Sequence, residues 1–111
     1  MNYNRISNQE ELTQVLKDNL GVLFYFSRTT CNVGEALEPK IINLLNDNYP
    51  KIPFYFIDMD QNPDIAAKYS VFVEPTILVF FDEKETIRKS RNFSVIELSE
   101  AIHRIYKIAF E

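Results

Sequence analysis

The residues best suited to chemistry lie in one short stretch, "SRTTCNVGEALEPK", from Ser27 to Lys40. It holds Cys31, the only cysteine of the 111-residue chain. A thiolate attacks disulfide sulfur or binds a soft metal. One cysteine cannot close an internal disulfide. With the single histidine, His103, it cannot assemble a Cys/His zinc site either. No metal or cofactor is therefore expected. What remains is a nucleophilic thiol, or else an inert small side chain. Cys31 stands just before a helical pattern, where unpaired N–H groups and the positive end of the helix dipole favour a thiolate. Such a place draws a thiol pKa from about 8.5 toward about 7 or below. Arg28 would add positive charge.

The elements that must position this stretch follow from spacing. Ser7-Asn8-Gln9-Glu10 has the form of a capping box, and Leu12, Val15 and Leu16 predict a helix over roughly 8–18. "GVLFYFS" after it is a continuous apolar run, the pattern of a strand covered on both faces, as in a parallel sheet. Leu37, Ile41, Leu44 and Leu45 form the stripe of a second helix. Pro39 inside it predicts a bend. "PFYFIDM" reads as a second buried strand. Asn62-Pro63 reads as the cap and first position of a short helix carrying Ile65, Ala66 and Tyr69. "PTILVFF", a "DEK" turn and "ETIRKS" read as a hairpin. Ser94-Val95-Ile96-Glu97 is a further capping box, opening a helix with Val95, Leu98, Ile102, Ile105 and Ala109 inward. A short extra strand is expected around Tyr3–Ile6. Strands alternating with helices, closed by a hairpin, predict a three-layer α/β/α sandwich. The sheet is expected to be mixed, in one domain over 1–111.

Composition bounds the partners. The formal charge is −4 and the pI near 5.0, which argues against a phosphate-tracking nucleic-acid binder. The apolar runs Val22–Phe26 and Pro75–Phe81 fall well short of the roughly 20 residues of a membrane helix. The polar start "MNYNRISNQEEL" lacks a secretory h-region. A cytoplasmic, reducing setting is expected. His103, between Ile102 and Arg104 on the last helix, is assigned no catalytic role. Arg88, Lys89 and Arg91 read as a solvated edge that discourages strand pairing. The aromatics of the strands read as core, and Tyr69 and Phe72 either as core or as the wall of a groove near Pro75.

Three segments, in order and at fitting separations over roughly residues 6–108, resemble the thioredoxin family. "VLFYFSRTTCNVGEALEPKI" resembles its active-site strand, loop and helix, with Cys31 at the nucleophilic position and Pro39 at the helix-kinking proline. "IDMDQNPDIAAKYSV" resembles its Asp-Gln-Asn-Pro segment (Asp60, Gln61, Asn62, Pro63, then Ala66, Lys68 and Tyr69). "EPTILVFF" resembles its cis-proline loop, with Pro75 and Thr76 matching. The resemblance implies thiol–disulfide exchange with protein or low-molecular-weight thiol or disulfide substrates. It also implies that Thr30, Asn32, Glu74 and Pro75 flank the substrate chain, and that the Glu74–Pro75 bond is cis.

The departures are specific. The family's Cys-Gly-Pro-Cys reads Cys31-Asn32-Val33-Gly34 here, so the resolving sulfur is replaced by Gly34. Thr30 replaces the preceding tryptophan. Tyr25 and Phe56 stand where the family has a buried aspartate and its lysine, and Glu74 where it has an apolar residue. An aromatic pair dries the site and raises a thiol pKa, against the helix-terminus effect. Three functions fit: a single-cysteine oxidoreductase whose mixed disulfides are resolved by an external thiol, a redox-inactive protein-binding module, and a thiol sensor. A single-thiol glutaredoxin fits less well, because "FFDEKET" lacks the glycines of a glutathione site.

Overall fold

The computed structural model describes residues 4–28 and 37–110. The elements run β1 (Asn4–Arg5), α1 (Gln9–Asp18), β2 (Gly21–Ser27), α2 (Leu37–Asn48), β3 (Phe54–Asp58), α3 (Pro63–Lys68), β4 (Thr76–Phe81), β5 (Lys84–Ser90) and α4 (Val95–Phe110). They build a five-stranded sheet in the order β1-β3-β2-β4-β5. β3 runs parallel to both β1 and β2, whereas β4 is antiparallel to β2 and to β5. The central strand β2 thus has one parallel and one antiparallel neighbour, so its continuous apolar run reflects cover on both faces rather than an all-parallel sheet.

Alternation along the strands divides the core in two. Leu23 and Tyr25 of β2, Phe54 and Phe56 of β3, and Ile77, Val79 and Phe81 of β4 face Ile41 and Leu45 of α2 and Leu98 and Ile102 of α4. Val22, Phe24 and Phe26, with Ile57, Leu78 and Phe80, face Leu12 of α1 and Ile65 and Ala66 of α3. Each fully buried Leu, Ile or Phe contributes about 1.5–3 kcal/mol of transfer free energy. Tyr49, at the end of α2, donates its hydroxyl to the Ser99 carbonyl at 3.0 Å and so pins α2 to α4. Among the described residues, no helix is long and apolar enough to cross a membrane.

Local caps depart from the expected ones in two places. At α1 the box is shifted by one residue: Asn8 Oδ1 accepts the Glu11 N–H at 2.9 Å, and Glu11 Oε1 accepts the Ser7 N–H at 2.7 Å. At α3 the Asn62 side chain makes no cap bond. Its amide is buried and donates instead to the carbonyls of Asp58 at 3.0 Å and Ile6 at 3.4 Å, tying β3 to the end of β1. The box at α4 is as the sequence predicts, with Ser94 Oγ accepting the Glu97 N–H at 3.1 Å. Pro39 is the third residue of α2, and the residues one turn before it lie outside the described ones, as does the expected bend there.

The hairpin turn is two residues, tighter than the expected "DEK". Phe81 pairs with Lys84, and Asp82 and Glu83 both take positive φ, 53° and 64°. Two left-handed residues make a type I′ turn, whose twist matches that of the strands it joins.

Candidate functional site

Three chain segments converge at one end of the sheet: Ser27-Arg28 leaving β2, Asp58-Met59-Asp60 leaving β3, and Val73-Glu74-Pro75 entering β4. Register brings them together. Ser27 pairs with Asp58, and Phe26 pairs with Thr76. Continuing that antiparallel pairing by two residues sets Arg28 opposite Glu74. The Glu74–Pro75 peptide bond is cis.

Arg28 is the organising cation. Its Nε donates to Asp60 Oδ1 at 2.8 Å, and one of its terminal nitrogens donates to Glu74 Oε1 at 3.0 Å. Ser27 Oγ reaches the other Glu74 oxygen at 3.5 Å. The hydrogen bond to Asp60 first, then that to Glu74, raises the Arg28 pKa above its ordinary value. The charge expected to favour a Cys31 thiolate is thus already shared between two carboxylates, and the cluster carries a net negative charge. Arg28 and Glu74 were each visible in the sequence, but their pairing follows only from strand register.

The loop leading to Glu74 is set by the end of α3. Ser70 has φ 56°, its N–H bonds the Ala67 carbonyl at 3.1 Å, and the Val71 N–H bonds that of Ala66 at 2.8 Å. This double bond pattern is a Schellman close. Arg88 adds bonds to the Tyr69 and Ser70 carbonyls at 2.6 and 3.3 Å. The turn sends Val71 inward and leaves Phe72 74% exposed. Tyr69 instead packs edge-on against Phe80 at 5.7 Å, so it belongs to the core and Phe72 to the surface. A groove of about 210 Å³ runs beside this loop, lined by Arg28, Met59, Pro63, Ala66, Ala67, Val71 and Phe72. On the far side of Pro75, Thr76 Oγ1 donates to the Val73 carbonyl at 2.7 Å and bonds Ser90 Oγ at 3.2 Å.

The aromatic pair lies in the core layer between the sheet and helices α2 and α4. Tyr25 and Phe56 are direct partners in the β2–β3 register, with ring centroids 6.1 Å apart and planes 28° from parallel. Phe54 flanks Tyr25 at 5.6 Å, and the Arg5 guanidinium covers the Phe56 ring at 4.7 Å. Neither ring is more than 2% exposed. Of the site residues expected from sequence, Glu74 and Pro75 fall in this convergence. Cys31, Thr30, Asn32 and Gly34 lie outside the described residues.

Residues 4–104 match the family model described as Thioredoxin. The chain belongs to the thioredoxin family. Among its relatives is the thioredoxin-like protein YdfQ of Bacillus subtilis, 29% identical over 93 residues that cover 84% of this chain and 82% of that one. Thioredoxin-2 of Pyricularia oryzae is 34% identical over 82 residues, covering 74% of this chain but only 47% of that protein. The crystal structure of Fasciola hepatica thioredoxin superposes with a TM-score of 0.81 at 28% identity, over 91% of this chain and 97% of that one. These matches show a thioredoxin fold, the three-layer arrangement expected from the sequence. Within the family, this chain is a variant with a single cysteine.

Proposed function

We propose that this thioredoxin-family chain carries out thiol–disulfide exchange through one sulfur, that of Cys31. The observation that carries this reading is the motif Cys31-Asn32-Val33-Gly34, which keeps the nucleophilic position and loses the resolving one. The Cys31 thiolate attacks one sulfur of a partner disulfide. A new S–S bond forms, the partner's S–S bond breaks, and its electron pair leaves on the second partner sulfur, which takes a proton from water. Gly34 offers no sulfur for the next step. An external low-molecular-weight thiol, as its thiolate, then attacks the partner sulfur of the mixed disulfide. The Cys31 thiolate leaves, and the partner departs as a mixed disulfide with the small thiol. Thr30, Asn32, Glu74 and Pro75 line the path of the substrate chain in this reading, within a single domain over 1–111 in the cytoplasm.

A second reading, a binding module without turnover, draws support from the dry Tyr25–Phe56 pair and from Glu74, both of which disfavour a thiolate. One experiment separates the two. Reduction of a small disulfide is followed with and without glutathione, in the native chain and in Cys31→Ser. Turnover that requires glutathione and disappears in Cys31→Ser is the expected result. No turnover in any condition leaves the binding module. Robust insulin reduction with thioredoxin reductase and no added thiol would sink the single-sulfur mechanism.

A further inference from the structure

β5 is the outer strand on one side of the sheet, and the direction of its free backbone groups can be worked out. The Arg91 N–H bonds the Pro75 carbonyl at 3.1 Å. In an antiparallel ladder the mutually bonded pairs alternate with pairs that face away. Ile77 with Lys89 and Val79 with Ile87 are therefore the bonded pairs. The N–H and C=O groups of Arg88 and the N–H of Ser90 then point away from β4, toward solvent, while the Ser90 C=O accepts the Asn92 N–H at 2.6 Å. Below them the register shifts between Val79 and Phe80, which leaves Thr86 as the extra residue of a bulge. The regular part of the open edge is Ile87 to Ser90.

Side chains sort by face along the same stretch. Arg88 turns toward the end of α3, where Glu85 pairs with it at 2.9 Å. Ile87 and Lys89 turn toward α4. Together with Thr86, Ala101, Arg104 and Ile105 they line a groove of about 290 Å³ between the strand edge and the helix. Among the described residues, neither Lys89 nor Arg104 has a carboxylate within ion-pair distance. The groove is therefore locally basic in a chain of net charge −4.

That charge decides the occupant. From Lys84 to Arg91 the strand and the residue after it carry four cations against one carboxylate, net +3. A second copy pairing edge to edge would set these cations against each other, and like charges across a strand pair repel. An extended segment of opposite charge would be drawn to the same edge. We propose that the β5 edge and the β5–α4 groove form a docking site for an extended acidic segment of a partner protein, added as a sixth strand. An acidic side chain opposite Lys89 lies within reach of Arg104. The residue two positions along, on the same face, lies opposite Ile87 and beside Ala101 and Ile105, so it is apolar. The backbone of the segment bonds the N–H and C=O of Arg88 and the N–H of Ser90. This surface is independent of Cys31 and of the chemistry proposed for it.

The test uses the full chain, labelled with nitrogen-15, and the probe peptide acetyl-Thr-Glu-Thr-Val-Thr-amide. Binding is expected to shift the amides of Ile87 to Ser90 saturably and to slow hydrogen exchange at the Arg88 and Ser90 N–H groups. It is expected to weaken with added salt. Lys89→Glu together with Arg104→Glu should weaken it by about tenfold or more, as charge reversal across a contact does. The same peptide carrying Lys in place of Glu should bind the native chain weakly and the doubly reversed chain better. A peptide N-methylated at the threonines that face β5 should fail on the unaltered protein, a result that does not depend on any variant folding. Absence of saturable shifts, unchanged exchange at Arg88 and Ser90, or equal affinity for the acidic and basic peptides would each overturn the proposal.

Discussion

Replacing Tyr25 by aspartate would return the carboxyl group that thioredoxins resembling this chain carry on the central strand, yet it should come close to unfolding the protein. Tyr25 is fully buried, with Phe54 and Phe56 against it at 5.6 and 6.1 Å. Removing a buried aromatic ring costs about 3–5 kcal/mol in lost transfer energy and cavity. A fully buried carboxyl has its pKa raised by about 3–5 units. At about 1.4 kcal/mol per unit, keeping it protonated in the fold adds about 4 kcal/mol at pH 7. The sum, about 7–9 kcal/mol, matches most of the roughly 5–15 kcal/mol that holds a domain folded. The sign with pH is fixed. The folded state holds the introduced proton more tightly than the unfolded state, so stability falls as pH rises from about 4 through the raised folded pKa. Below about pH 4 the carboxyl is neutral in both states, and only the packing loss remains. Tyr25→Leu serves as the reference, because it loses ring volume without adding an ionisable group. Urea unfolding followed by far-ultraviolet circular dichroism should show the gap between the two variants widening from pH 4 to pH 7. Phe56 lies directly opposite in the register, so adding Phe56→Lys to Tyr25→Asp should flatten that pH slope. A Tyr25→Asp protein with a native-like midpoint and no pH slope would show that the position is wet, and the reasoning about a dry site would fall.

Two further changes probe other parts of the molecule. Glu83 sits at φ 64° in the second place of the type I′ turn, where a side chain costs about 1–2 kcal/mol and glycine costs none. Glu83→Gly should therefore raise the thermal midpoint by a few degrees, equivalent to about 0.5–1 kcal/mol after the added chain entropy of glycine, and a lower midpoint in calorimetry would contradict the assigned turn. If Cys31 works beside Pro75 as proposed, Glu74→Gln removes a negative charge and releases Arg28 from one of its two carboxylates. Alkylation of Cys31 by iodoacetamide at pH 7 should then run about threefold faster, and an unchanged or slower rate would count against that placement.

Much of the fold was legible because it rests on short-range rules. The apolar runs marked β2, β3 and β4, since runs this short, bounded by turn residues and rich in aromatic and β-branched side chains, suit strands covered on both faces. Spacings of three and four marked α1, α2 and α4. The Ser94–Glu97 box fixed the start of α4. The residues around Cys31, from Asp60 to Tyr69 and at Pro75 carry the resemblance to the thioredoxin family in their types and order alone. Misjudged features turned on competition between local and distant partners. Asn62 has the residue type of a cap, but its amide turns back to the Asp58 carbonyl and reaches that of Ile6, 56 residues away in sequence, a partner that no local reading contains. Ser7 and Asn8 are both capping residues, and the one that caps is decided by which residue turns first into the helix.

By itself the sequence determined the layers, the family and the loss of the second sulfur, because residue type and spacing carry these directly. Only the tertiary structure decided that Arg28 belongs to Asp60 and Glu74, that Tyr25 stacks on Phe56, and that Phe72 rather than Tyr69 faces solvent. Each of these depends on strand register or on where a helix closes. A shift of one residue in register turns every side chain to the opposite face, and no stretch of a single strand records which neighbour it will meet.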